Sequence, residues 1–156
     1  HIRHLLEDDI YHWIKGDTDS EHLFALFLQL AKGQDLSQLH VVADVLEQTL
    51  QKIMELVKQY GETEPSYFNI CLTDGKRIIA TRYCTSEKKK ALSLHYLVGH
   101  QDASNGILEH DMPLYVVVSS EKLTDIHTSW QEVPSQHMIL VDENRTIHLR
   151  PIHVLS

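Results

Sequence analysis

One stretch of the chain gathers the groups that could do chemistry. Asp17-Thr18-Asp19-Ser20-Glu21 runs directly into an apolar block, Leu23-Phe24-Ala25-Leu26-Phe27-Leu28. Thr18 and Glu21 have the spacing of a capping box. In that motif the hydroxyl accepts from the backbone N–H three residues on, and the carboxylate reaches back to the N–H of the capping residue. Asp19 is not needed for this cap. It is open to two readings: a carboxylate that favours the positive end of a helix dipole, worth about 0.3–1 kcal/mol, or a ligand for an ammonium group, which a carboxylate can pair as a charge.

The other reactive residue types are more scattered. Twelve histidines invite a metal reading. His1 and His4, His95 and His100, and His148 and His153 come near the spacings of zinc ligands, but no cysteine pair accompanies them. We therefore expect surface histidines and no metal site, with a histidine-based metal protein as the weakest alternative. Cys71 sits among Phe68, Ile70 and Leu72, where burial raises a thiol pKa and works against a nucleophile. Ser119-Ser120-Glu121 ends an apolar strand, yet no G-x-S-x-G elbow is present. There is no glycine-rich phosphate loop.

Those residues need elements to hold them. Ile2, Leu5, Leu6, Ile10, Trp13 and Ile14 describe an amphipathic helix through residue 14, stopped by Lys15 and a left-handed Gly16. The pattern opens inside that helix, so we expect a fragment whose leading residues are missing. A second helix spans 20–32, apolar nearly all round, with Gly33 as its stop. A third fits 36–60 and ends at Gly61, and 62–65 reads as a linker. The period then changes to that of strands. Residues 67–73 and 76–83 flank Asp74-Gly75, a two-residue hairpin turn whose register would set Cys71 opposite Ile78 and leave Cys84 beyond the pairing. Further strands are expected at 92–98, 114–120, 138–141 and 146–149, with a polar loop over 99–112. Helices followed by about six antiparallel strands make an α+β domain.

A chain of 156 residues that is 42% hydrophobic can bury one core. Its net charge of -8 excludes nucleic acid and anionic membrane as main partners, because both call for a cationic face. The one basic run, Lys88-Lys89-Lys90, reads as a solvated turn. No apolar run approaches the roughly 18 residues of a membrane span. Two cysteines form no disulfide framework, which suits free thiols in a cytoplasmic setting.

The block Gly16 to Leu26 resembles the glutamyl-binding segment of class II glutamine amidotransferase domains. Tyr67 to Gly75, Ala80-Thr81-Arg82-Tyr83, Val118 to Thr124, Trp130-x-x-Val133-Pro134 and Leu149-Arg150-Pro151-Ile152 resemble one branch of that family. The branch includes the amidotransferase-like subunit of the fungal glutathione-degrading complex and its bacterial relatives. Lys122 stands where that branch usually has proline. The resemblance implies an N-terminal-nucleophile hydrolase fold, a four-layer αββα sandwich of antiparallel sheets with its N-terminal part missing. Residues 1–156 would be the C-terminal part of a single type-2 domain. It implies hydrolysis of glutamine, or of a γ-glutamyl amide, by a terminal cysteine whose own amine is the base, beside an Asn-Gly oxyanion hole. It assigns Asp19 to the α-ammonium of the glutamyl group and calls for no cofactor, while admitting a second protein subunit as partner. The nucleophile, the oxyanion pair and the arginine for the substrate carboxylate would all lie upstream of His1, so the chain alone would be inactive. The alternative is a binding or scaffold module that keeps the fold without the chemistry.

Overall fold

The computed structural model describes residues 2–61, 64–86, 89–99, 113–123 and 130–154. Contacts divide the chain into two compact units, His1–Glu64 with His153–Ser156, and Pro65–Ile152.

The first unit is helical. A 3-10 turn, Ile2–Leu5, precedes three helices: α1 Asp8–Trp13, α2 Asp19–Ala31 and α3 Leu39–Gln59. The expected continuous helix over the first 14 residues is thus broken. Glu7 is extended (φ -69°, ψ 155°) and becomes the N-cap of α1. Its N–H donates to Gln29 Oε1 at 2.9 Å and its carboxylate takes Lys32 Nζ at 2.5 Å, both from the far end of α2. Tertiary partners therefore outbid helix continuity at that residue. Trp13 meets Phe24 edge-on at 5.6 Å, and Phe24 stacks on Phe27 at 6.0 Å, which docks α1 on α2.

Helices α2 and α3 pack together. Ala25, Leu26, Phe27 and Ala31 of α2 are buried, as are Ala43, Leu46, Leu50 and Ile53 of α3, spaced three and four apart. Each fully buried leucine contributes about 1.5–3 kcal/mol. Thr49, also buried, satisfies its hydroxyl by donating to the Val45 carbonyl at 2.8 Å. Gly33 and Gly61 follow α2 and α3 with φ of 75° and 71°, the left-handed stops expected of them.

Among the described residues the second unit holds eight strands: β1 Tyr67–Phe68, β2 Cys71–Thr73, β3 Ile78–Cys84, β4 His95–Gly99, β5 Tyr115–Ser119, β6 Gln131–Glu132, β7 His137–Val141 and β8 Ile147–Pro151. They form two antiparallel sheets. One has the order β1-β3-β7-β8, with β2 also paired to β3; the other has the order β5-β4-β6. Ala80, Ile139 and Val141 of the first sheet share a core with Tyr96 of the second and with Leu94 and Val133 beside it. Among the described residues the strands outnumber the expected six because the expected strand at 67–73 is split into β1 and β2 at Asn69-Ile70, and because β6 is too short to show a period. Most of the expected 99–112 loop, and Lys88 of the basic run, lie outside the described residues.

The first hairpin departs from its expected register. Cys71 pairs with Ala80, not Ile78, and Cys84 is inside the pairing, opposite Tyr67. The connection is four residues long, Asp74 to Arg77. Asp74 Oδ1 accepts from the N–H groups of Lys76 (3.0 Å) and Arg77 (2.8 Å), and Oδ2 takes the Arg77 guanidinium. The side chain captures two N–H groups that a tight turn would have left to the strand. Both thiols are free, as expected.

Buried Arg82 ties the sheets' connections together. It donates from Nε to the Leu92 carbonyl at 2.8 Å and from Nη1 to the Val133 carbonyl at 2.5 Å, and pairs Glu132 at 2.7 Å.

Candidate functional site

The start of α2 is built almost wholly from its own polar residues. Thr18 is the N-cap, and its hydroxyl accepts from the Glu21 N–H at 3.3 Å. The return half of the box goes elsewhere. Glu21 accepts from the N–H groups of Lys15 and Gly16, each at 2.8 Å, not from that of Thr18. Gly16 does not adopt a positive φ. A Cβ there would meet Glu21 Oε2 at 2.7 Å, so a larger residue would shift the end of that carboxylate.

Asp17 accepts from Arg3 Nη2 at 2.5 Å. His22 faces the Thr18 carbonyl with Nδ1 at 2.9 Å and Arg3 Nε with Nε2 at 2.8 Å. From Asp17 to His22, every ionisable side chain but one is therefore engaged. The exception is Asp19, the first residue of α2, exposed and without a hydrogen bond or ion pair among the described residues. Asp19 is among the residues lining an open cavity of about 400 Å³. Arg3, Asp17 and His22 supply the polar wall, and Ile53 and Leu56 of α3's final turns, with Tyr60 just after it, are among the apolar lining. The volume is within the usual range for small-molecule sites.

The sequence picked out Asp19, Thr18 and Glu21, and these are together. It missed Arg3, His22 and the α3 wall. Arg3 lies 14 residues from Asp17 and 19 from His22, separations that no local motif spans.

The remaining candidates are not assembled. Cys84 is buried. Cys71 is exposed at the head of β2, and what protein covers its sulfur pushes the thiol pKa up. Ser119 ends β5, where its hydroxyl accepts from the Glu121 N–H at 3.4 Å. His148 lies on β8 in one unit and His153 in the other; His1 and His100 lie outside the described residues. Among the described residues no three His, Cys, Asp or Glu side chains group as metal ligands would, and no helix is long and apolar enough to cross a membrane.

Two antiparallel sheets sharing a core in one unit, and helices in the other, make an α+β chain, in agreement with the N-terminal-nucleophile hydrolase type that the resemblance implies. A solved structure of a glutamine aminotransferase class-II domain protein from Silicibacter pomeroyi has this fold, with a TM-score of 0.74 and 24% identity, covering 99% of this chain and 60% of that one. The chain is also 30% identical over 165 aligned positions to the probable glutamine amidotransferase DUG3 of Saccharomyces cerevisiae. That match takes in 94% of this chain and 46% of the yeast protein, so the chain spans about half of its relative. No family model matches. The resemblance to class II glutamine amidotransferase domains thus extends over nearly the whole chain.

Proposed function

We propose that the chain is the glutamyl-binding part of a class II glutamine amidotransferase domain, and that residues 1–156 form the C-terminal part of that one domain. The reaction is hydrolysis of the side-chain amide of glutamine, or of a γ-glutamyl amide, to glutamate and ammonia or an amine. Asp19 is the ligand of the α-ammonium. One observation carries this reading: Asp19 alone, among the ionisable groups from Asp17 to His22, keeps its carboxylate unspent, and it keeps it at a cavity. A free carboxylate beside an apolar wall suits a cation whose charge must be met on leaving water.

Its neighbours supply the rigidity. Thr18 and Glu21 fix the backbone before and after Asp19, so the carboxylate is aimed without being consumed. Neither Cys71 nor Cys84 fits the nucleophile, so on this reading another residue of the full-length protein supplies the attacking thiol, and the 156 residues alone do not turn over glutamine. Degradation of a γ-glutamyl peptide such as glutathione, in the cytoplasm and with a second subunit, is one setting this chemistry would serve.

The test pairs a protein change with a ligand change. L-Glutamine and glutaramate, which lacks the α-amine, are titrated calorimetrically into the full-length protein and into Asp19→Ala. In the wild type, loss of the amine should weaken binding about tenfold to a hundredfold, as for a hydrogen bond to a charged group. In Asp19→Ala the two ligands should bind alike, because the partner is already gone. A variant that still prefers L-glutamine by the wild-type factor would falsify the assignment. A full-length protein that binds but never hydrolyses glutamine would favour the scaffold reading.

A further inference from the structure

The cavity wall beside Asp19 contains a linkage that the ligand reading does not use. Arg3, from the 3-10 turn, grips the chain on both sides of Asp19. Its Nη2 donates to Asp17, two residues before, and its Nε donates to His22, three residues after. The Tyr11 ring lies 5.9 Å from the guanidinium carbon, within cation–π reach. The protonation state of His22 follows from its partners. The Thr18 carbonyl can only accept, so Nδ1 carries a hydrogen. Arg3 Nε can only donate, so Nε2 must present a lone pair. The linkage therefore exists only with His22 neutral.

We propose that Arg3 is a positioning residue for Asp19 that acts through neutral His22, so that protonation of His22 loosens the glutamyl site. This rests on the reading of Asp19 as the ammonium ligand. A protonated His22 has no lone pair for Arg3 and sets one cation against another. The segment that carries Asp19 then keeps only its Asp17 end of the clamp. The charged and titratable groups sharing the cavity with His22 are Arg3 from the 3-10 turn, Asp17 ahead of α2, Asp19 on α2 and Tyr60 after α3. His12 borders the neighbouring cavity together with Arg3 and Asp17, so it serves as the control.

The experiment follows calorimetric affinity of the full-length protein for L-glutamine from about pH 8 down to about pH 5. Wild type should weaken about tenfold or more across that interval, since a small misplacement of a binding group costs on that scale. Arg3→Ala should start about tenfold weaker at the alkaline end and show no further acid loss. His22→Gln is the conservative rescue. A glutamine amide can accept from Arg3 and donate to the Thr18 carbonyl without titrating, so it should keep the alkaline affinity and lose the acid limb. His12→Gln should retain the limb. The proposal is overturned if His22→Gln keeps the acid limb, or if Arg3→Ala binds and titrates as wild type. His22→Gln decides the matter even where Arg3→Ala fails to fold. If Asp19→Asn binds L-glutamine normally, the ligand reading itself has failed; if Asp19→Asn is weak while Arg3→Ala is normal, only this proposal has.

Discussion

Asp74 and Asp19 each stand where the backbone has just changed direction, and they are spent in opposite ways. Asp74, in the sheet unit, accepts from two backbone N–H groups and from the Arg77 guanidinium. These donors hold its carboxyl well below the ordinary carboxylate range, the Lys76 N–H first among them and the Arg77 contacts next. Asp19, in the helical unit, accepts from no described group. A saturated carboxylate shapes a loop. An unsaturated one, inside a segment whose other charges are all taken, contributes little to shape and stays available to a ligand. Substitutions should separate these two kinds of polar residue by what they cost the fold.

The largest cost is expected at the most saturated group. Arg82 is 3% exposed at its side chain and satisfies two backbone carbonyls and Glu132. Arg82→Met keeps the volume but strands those carbonyls and leaves Glu132 to its longer, exposed contact with Lys90 at 4.0 Å. We expect a loss of about 3–5 kcal/mol, read from urea unfolding curves. Arg3 also binds two side chains, but in water, with 41% of its side chain exposed. Its replacement by alanine should cost no more than about 1 kcal/mol. Equal losses at the two arginines would dissolve the distinction.

Asp74→Ala should come next, at about 1–2 kcal/mol, because loop N–H groups lose their acceptor but regain water. The sign of its pH dependence follows from the lowered folded-state pKa. The contribution is fully present above the unfolded aspartate value of about 3.9 and is lost as pH falls through the lower folded value. The difference between wild type and Asp74→Ala should therefore be flat from neutral pH to about pH 5 and shrink only in stronger acid. Unfolding curves at several pH values check this; a difference that grows on acidification would contradict it.

How much of this could be read in the residues alone varies by element. Thr18-x-x-Glu21 announced the start of α2, and the glycines after α2 and α3 announced their ends, because caps are local. The antiparallel strands were legible from alternation. The hairpin register was not. The observed pairing is displaced by two residues from the expected one, and a displacement of two leaves every side chain on its original face. Hydrophobic pattern is blind to that change, and side chains of the connection pin it: Asp74 accepts from the Lys76 and Arg77 N–H groups, and the Thr73 hydroxyl donates to the Arg77 carbonyl. The break at Glu7 and the arrival of Arg3 beside Asp17 and His22 were equally hidden, since both depend on partners about 14 to 22 residues away. Asp19 was legible as a surplus residue at the cap. Its being the one unengaged charge there was not.

The smallest effect on stability is expected at Asp19. Asp19→Asn removes a charge at the first position of α2, where the dipole alone favours it by about 0.3–1 kcal/mol at low salt and less as salt screens it. Urea unfolding at moderate ionic strength should place the variant within about 0.5 kcal/mol of wild type, in the range of ordinary surface changes. The same variant should lose most of its affinity for L-glutamine. Near-neutral stability together with lost binding is what an unspent carboxylate predicts, and a structural one predicts the reverse. A destabilisation near that of Asp74→Ala would mean that Asp19 is engaged in the fold after all, and would remove the physical ground for assigning it to a ligand.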